Sequence, residues 1–210
     1  DAYNIALTLH DSANVVIADA NIEEEGSVYE QGEIVSQFYR DQLPNNGYAY
    51  GDFSDDYKPD NYYHSFSFTG FLRVESGQYA NNQAEQAYLF HAISSHKGWC
   101  VRIQVDAHDK NRGRIIVGNN NNNSNWASSS HFAFTYDEFH HVAFTSKDGN
   151  FKMYFDGVEV YSSEKSYFLP NTPNDGQYII GAGTSKAAIR HVSIYKGTML
   201  PVATIENMGS

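Results

Sequence analysis

The chain has 210 residues, including 16 Tyr and 13 Phe, and its apolar fraction of 41% excludes intrinsic disorder. No apolar run approaches the roughly 18 residues that cross a bilayer, so the sequence excludes membrane insertion through a transmembrane helix. Asp and Glu outnumber Lys and Arg by 25 to 14, and a net charge of −11 disfavours nucleic acid as a partner.

The first 45 residues have the least regular pattern. Short strands are predicted at 5–9 and 15–17, and a short helical turn is predicted at 33–40. We expect a single domain over residues 1–210, in which residues 1–45 form an irregular arm packed on the main body.

An acidic and aromatic segment follows at 48–64, with four Asp, one Asn and five Tyr. Asp52, Asp55 and Asp56 offer the oxygen ligands that Ca²⁺ prefers, although their spacing does not match an EF-hand. Tyr57 and Tyr62 offer faces on which a sugar ring can stack. The alternative interpretation is a solvated acidic loop whose tyrosines belong to the core.

Period-2 alternation dominates the chain from residue 65 onward. The clearest strand is predicted at 65–75, where Gly70 indicates a bulge that reverses the inward face. Asp156-Gly157 predicts a tight hairpin turn. Further strands are predicted at 87–93, 100–105, 113–117, 131–134, 140–145, 151–155, 158–161, 178–180 and 188–195. Together these signals predict an all-β, antiparallel sandwich of two sheets.

Two amide-rich segments are candidate ligand-binding loops. Residues 119–123 are five consecutive Asn, and the amides of Asn122, Asn123 and Asn125 stand beside Trp126. Amides both donate and accept hydrogen bonds, and an indole can stack on a sugar ring. A weaker patch contains Asn82. The alternative for the longer segment is a polar loop that Trp126 anchors to the sandwich.

Four blocks in the second half resemble a known family. They lie at 139–145 (Phe-His-His-Val-Ala-Phe-Thr), 151–160, 178–183 and 189–195. Their order resembles the laminin G-like, pentraxin-like branch of the concanavalin A-like lectin/glucanase superfamily. This resemblance implies a jelly-roll β-sandwich. The chain departs from the pattern at Phe139, where the family often has Trp, and at Arg190-His191, where it often has Asp-Glu.

Catalytic patterns are missing from the sequence. Glycosidases with this fold use an E-x-D-x-x-E string that projects paired carboxylates on one face, and the chain contains none. His140 and His141 are adjacent strand residues that point to opposite faces, so they cannot both bind one ion without distortion. The sequence therefore predicts a non-enzyme.

The favoured function is non-catalytic carbohydrate binding, as a lectin-like or adhesion module assisted by Ca²⁺, outside the cell or on a cell or virion surface. The first alternative is a structural or protein-interaction module of a surface appendage, adhesin or virion, with other protein subunits as partners. A sialic-acid lectin would require arginines to pair the carboxylate, and a polysaccharide-cleaving enzyme is the weakest alternative. The candidate arginines for the sialic-acid alternative are Arg73, Arg102, Arg112 and Arg114.

Overall fold

Two antiparallel sheets form the described part of the protein. The computed structural model describes residues 2–3, 8–10, 14–17, 32–36, 48–52, 65–76, 84–93, 99–119, 125–147, 150–164, 177–180, 187–196 and 199–210. The strands and the helix are, in chain order, β1 (Ala2–Tyr3), β2 (Thr8–His10), β3 (Asn14–Ile17), β4 (Gly32–Ser36), β5 (Tyr48–Asp52), β6 (Ser65–Val74), β7 (Glu85–Ile93), β8 (Trp99–Val105), β9 (Arg112–Asn119), β10 (Asn125–Ser128), β11 (Phe132–Ala133), β12 (His140–Lys147), β13 (Asn150–Phe155), β14 (Val158–Ser163), β15 (Gln177–Ile180), β16 (Ala187–Lys196) and α1 (Val202–Met208).

The strand order alternates between early and late segments of the chain. The first sheet runs β14-β13-β12-β6-β16-β4-β3, with β1 paired to β16. The second sheet runs β10-β9-β8-β7-β15-β5-β2, with β11 paired to β9. The described pairings are antiparallel, and the predicted two-sheet, all-β architecture is confirmed.

The core lies between the two sheets. Phe68 on β6 and Phe144 on β12 stack with ring centroids 5.6 Å apart. The second sheet contributes Leu89, Ile103 and Ile115 to the same buried cluster. Alternate residues of each strand face inward because successive side chains of a strand point to opposite sides.

Gly70 does not reverse the inward face of β6, so that prediction is wrong. Phe68 and Leu72, on either side of Gly70, both belong to the core. The extra residue lies in the neighbouring strand, where the β16–β6 register shifts between Arg190 and Ser193. Gly70 is instead a site of close approach, since a Cβ there would lie 3.2 Å from Leu89 Cδ2 of the facing sheet.

The N-terminal strands join both sheets. The predicted helical turn at 33–40 is wrong over the residues that β4 covers, since Gly32–Ser36 pairs with β16 and β3. Tertiary pairing overrides a weak local preference there. The strand predicted at 15–17 falls within β3, and the strand predicted at 5–9 overlaps β2 at residues 8 and 9, while residues 5–7 lie outside the described residues. The assignment of residues 1–210 to one domain with an irregular arm stays a prediction.

The Asp156-Gly157 hairpin is confirmed. Both residues have positive φ angles, 46° and 76°, as a tight two-residue turn requires. A Cβ on Gly157 would lie 3.0 Å from the backbone of Glu206, so the turn also receives the end of α1.

The C-terminal segment covers the outer face of the first sheet, which the sequence did not predict. Leu200 and Ile205 pack with Ala143 and Tyr154 in a second buried cluster. The Leu200 N–H donates to Ser67 Oγ at 2.9 Å. The helix has only seven residues, and no described helix has the length and apolarity to cross a membrane.

This cover buries a hydroxyl at an energetic cost. Tyr154 is 1% exposed, and burial raises the pKa of its phenol. The Thr145 hydroxyl lies nearby, but neither hydroxyl makes a hydrogen bond of good geometry with any described residue. A buried polar group without a partner costs about 1–3 kcal/mol.

Tyr154→Phe is therefore expected to raise the free energy of unfolding, by about 1 kcal/mol, because it removes an unsatisfied hydroxyl and keeps the ring. Urea unfolding of the two proteins measures the difference. Tyr161→Phe, at a half-buried ring, serves as the control and is expected to change little. A clear loss of stability in Tyr154→Phe alone would contradict an unsatisfied hydroxyl.

Candidate functional site

The outer face of the second sheet carries a polar strip, formed by Gln86, Tyr88, Arg102, Gln104 and Arg114. These residues occupy alternate positions of β7, β8 and β9. The register sets Tyr88 opposite Arg102, and it sets Gln104 opposite both Gln86 and Arg114. Directly opposite residues of antiparallel strands share a face, so the strip lies on one side of the sheet.

The residues between the strip positions face the core. Ala87, Val101, Ile103 and Ile115 all belong to the buried cluster between the sheets. Successive side chains of a strand point to opposite faces, so the residues of the polar strip, which alternate with these buried ones, point outward.

Arg102 links two strands of the strip. Its Nη1 donates to Gln86 Oε1 at 2.8 Å and to the Tyr88 hydroxyl at 2.6 Å. The guanidinium carbon also lies 5.3 Å from the centroid of the Tyr88 ring. Burial raises the pKa of Tyr88, against the opposing charge of Arg102. The neutral phenol and the arginine therefore hold each other in place.

Arg114 is oriented by a neutral partner on β8. Its Nε and Nη2 donate to Gln104 Oε1 at 2.9 and 2.6 Å. This fork uses two of the five N–H donors of a guanidinium. Gln104 fixes the direction of the charged group without cancelling its charge.

The strip is closed at one end and open at the other. Cys100 and Ile116 lie on the same face and are only 3% and 4% exposed. Burial raises the pKa of Cys100 to about 12, which keeps the thiol protonated and unreactive. At the other end Arg112 is exposed beside the β8–β9 turn.

The outward positions of β7 to β10 carry no carboxylate. Glu85 is the one acidic residue in β7 to β10, and it shares the inward parity of Ala87. Its Oε1 accepts from the Tyr136 hydroxyl at 3.1 Å and lies 3.1 Å from Lys110 Nζ. The outer face of these four strands thus lacks the paired acids that a glycosidase requires.

Asp106 lies at the open end, within the β8–β9 turn. Its Oδ1 accepts the backbone N–H groups of His108 at 2.7 Å and Asp109 at 3.1 Å. These hydrogen bonds lower the pKa of the Asp106 carboxyl, and the nearby His131 adds to the effect. Asp106 is a turn-forming residue. In the part of the chain that the structure describes, no three His, Cys, Asp or Glu side chains are grouped to hold a metal ion.

His140 and His141 point to opposite faces, as predicted. His140 Nδ1 donates to Asp156 Oδ2 at 2.7 Å, and Nε2 donates to the Thr135 carbonyl at 2.9 Å. Burial lowers the pKa of His140, but these hydrogen bonds outweigh it and raise the pKa overall. His141 is 1% exposed, and burial lowers its pKa to about 4. The His140 ring and the backbone N–H of His141, which donates to Asp156 Oδ1 at 2.8 Å, hold the hairpin turn against β12. Both histidines lie on the first sheet, away from the polar strip.

The loop residues predicted to bind ligand lie mostly outside the described residues. Three of these positions belong to the described part of the chain. Asp52 ends β5 opposite Gln177. Asn125 and Trp126 begin β10 opposite Asn119 and Gly118. The other predicted positions lie outside the described residues: Asp55, Asp56, Tyr57, Tyr62, Asn82, Asn122 and Asn123. The calcium site and the loop glycan site stay predictions.

The polar strip was missed because sequence alone does not give strand register. Arg102 and Arg114 were candidate arginines, and the structure brings them onto one face of adjacent strands. Arg73, by contrast, lies on β6 of the other sheet, 4.9 Å from the Phe139 ring. Polar residues alternate with apolar ones in Gln86-Ala-Tyr88 and in Arg102-Ile-Gln104. This alternation indicates two polar strand faces, but only the strand register shows that the two faces lie side by side.

Comparison with known proteins shows the family. The model of the Concanavalin A-like lectin/glucanases superfamily matches residues 45–203. A search of curated protein sequences gives no match.

Solved structures with the same fold include three from botulinum neurotoxins. One concerns type C, whose cell entry depends upon interaction with two ganglioside molecules, and two are binding domains of type DC, with rat synaptotagmin II and with SialylT. Each has a TM-score of 0.65 and 14% identity, over 99% of this chain and 46% of the toxin chain. The chain thus spans about half the length of these toxin chains, and the likeness shows the fold. With more than half of its residues matched by the family model, the chain belongs to the concanavalin A-like lectin/glucanase superfamily.

Proposed function

We propose that this chain is a non-catalytic glycan-binding module and that its polar strip contacts the ligand. The observation that carries the proposal is the strip itself, in which amides, guanidinium groups and an aromatic ring share one face. Sugar hydroxyls require both donors and acceptors, which Gln86, Gln104 and Arg114 supply. Half-buried positions strengthen such hydrogen bonds relative to fully exposed ones.

The charge of this face supports binding over hydrolysis. A retaining glycosidase needs two carboxyl groups roughly 5–5.5 Å apart, and an inverting enzyme needs them roughly 6.5–9.5 Å apart. The outward positions of β7 to β10 carry no Asp or Glu.

The relatives in fold are compatible with this proposal. The type C toxin interacts with gangliosides, and a type DC binding domain forms a complex with SialylT. The complex of the type DC binding domain with rat synaptotagmin II favours one second candidate, a protein-interaction module. We place either function outside the cell or at a cell or virion surface, where glycans and adhesion partners are found.

A glycan array tests the proposal. We expect the protein to bind a defined set of glycans, and we expect the double variant Gln86→Ala/Gln104→Ala to bind them about tenfold more weakly or worse, because two hydrogen-bonding amides are lost. Asn150→Ala, an exposed amide on β13 of the first sheet, is the matched control and should bind normally.

Other outcomes separate the alternatives. Loss of binding in Trp126→Ala, with the double variant unaffected, would move the site to the β9–β10 loop. Loss of binding in EDTA would support the calcium ligands predicted at Asp52, Asp55 and Asp56. Failure to bind any glycan, together with stable self-assembly on sizing, would favour a structural or protein-interaction module of an appendage, adhesin or virion.

A further inference from the structure

The cover, residues 199–210, is held on the outer face of the first sheet by few apolar contacts. Leu200 and Ile205 are its two buried residues, and most of its other side chains are exposed. These two anchors pack on Ala143 of β12 and Tyr154 of β13. A unit with few buried apolar contacts opens locally at a lower free energy than the core.

The helix within the cover is weak by itself. It has seven residues, fewer than the roughly 12–15 that an isolated helix needs to be stable in water. Pro201 occupies the N-cap position and makes no side-chain hydrogen bond to the helix. Within α1, all of which the structure describes, the first turn has no acidic residue and the last turn has no basic one. The helix therefore depends on its contacts with the sheet.

The docked cover buries polar atoms that lack hydrogen-bond partners. The Tyr154 hydroxyl and Thr145 Oγ1 are buried, and neither makes a hydrogen bond of good geometry with any described residue. Tyr154 is opposite Ala143, and Thr145 is two residues further along β12, so both hydroxyls belong to the face that the cover packs against. Water reaches them when the cover lifts, and their hydration offsets part of the apolar contact that is lost.

Contacts at both ends of the cover determine where it docks. At one end the Leu200 N–H donates to Ser67 Oγ at 2.9 Å. At the other end Gly209 lies so close to the Asp156-Gly157 turn that a Cβ on Gly209 would overlap the Gly157 nitrogen. The closed position is therefore specific, although few apolar side chains hold it.

We infer that the cover is displaceable, and that it opens and closes on the first sheet while both sheets stay folded. Two apolar anchors balanced against two buried hydroxyls make this opening a local event. The closed form hides Tyr154 and Thr145. The open form exposes them together with Ser67, so the cover controls access to a hydroxyl-bearing face on the sheet that does not carry the polar strip.

Hydrogen exchange of the intact protein, followed by NMR over a series of low urea concentrations, tests this inference. The reporters are two amides of the cover: the Ile205 N–H donates to the Pro201 carbonyl at 3.2 Å, and the Gly209 N–H donates to the Ile205 carbonyl at 3.1 Å. The references are the amides of β12, which is paired on both sides. We expect measurable protection of the reporters, with exchange roughly a hundredfold or more faster than that of the references. Their exchange should depend little on urea, because local opening exposes little surface.

Three variants connect the exchange to the anchors and to the buried hydroxyl. Ile205→Ala should speed exchange of the Gly209 amide roughly tenfold or more, because it removes an anchor. Tyr154→Phe should slow exchange of both reporters severalfold, because docking then no longer buries an unsatisfied hydroxyl. Tyr161→Phe is the matched control and should leave exchange unchanged, since Tyr161 packs against the core between the sheets.

Three results would overturn the inference. Exchange of the reporters at the rate and urea dependence of the references would show that the cover leaves only when the whole protein unfolds. Reporters without measurable protection would show that the closed form is not populated. Equal exchange in Tyr154→Phe and the unaltered protein would show that the buried hydroxyl does not oppose docking.

Discussion

Phe68→Ala is expected to lower the free energy of unfolding by about 3–5 kcal/mol, the usual cost of removing a fully buried aromatic ring. Phe68 is 0% exposed and stacks on Phe144 in the centre of the core. The loss combines the transfer free energy of the ring with the cavity it leaves between the sheets. Urea unfolding monitored by circular dichroism measures it.

Phe71→Ala is the matched control, on the same strand and beyond Gly70. Phe71 lies on the outer face, where its ring centroid is 4.9 Å from His141 and 6.0 Å from His191. Its half-buried ring should cost clearly less than that of Phe68. Equal losses would indicate that both rings face the core, as a reversal at Gly70 would require, and would contradict the register of β6.

His141→Phe is expected to reduce the acid sensitivity of the protein. The pKa of His141 is about 4 in the folded protein, against an ordinary value of 6.5, because burial disfavours the charged ring. The unfolded chain therefore binds more protons between these values, and stability is lost as the pH falls from about 6.5 to about 4. The difference of about 2.5 pKa units corresponds to about 3 kcal/mol.

Unfolding in urea at pH 7, 5.5 and 4 measures this effect. The loss of stability on acidification should be about 3 kcal/mol smaller in His141→Phe than in the unaltered protein. The same comparison for His108→Gln, an exposed histidine in the β8–β9 turn, should show no such difference. Parallel pH profiles for His141→Phe and the unaltered protein would show that His141 is protonated without cost.

His140 gives the opposite sign, although it is the adjacent residue. Its pKa is raised in the folded protein by hydrogen bonds to Asp156 and the Thr135 carbonyl, in spite of burial. Its contribution is present below the ordinary histidine pKa and is lost as the pH rises through the raised value. The two histidines together therefore stabilise the fold most near pH 6.5. Below that pH the free energy of unfolding falls because of His141, and above it the free energy of unfolding falls because of His140.

Much of the fold followed from sequence pattern. Alternation predicted strands at 140–145 and 151–155, and β12 and β13 occupy these positions. In the structure the alternation separates the inward Val142, Phe144 and Met153 from the outward Ala143 and Tyr154. The Asp156-Gly157 turn was likewise predicted. These features depend on residues near one another in the chain, so local backbone preference and a two-residue period suffice to determine them.

Other features depended on which distant segments meet. Sequence alone did not show that Arg102 and Arg114 share a face while Arg73 lies on the other sheet, since a shift of one residue in register would move a side chain to the opposite face. The sequence also did not predict the close approach of Gly70 to Leu89, or the packing of α1 over Tyr154. Composition and alternation determined an antiparallel sandwich, because they record which residues avoid water. Only the tertiary structure decided where the polar strip lies, because register arises from the packing of whole sheets rather than from any single strand.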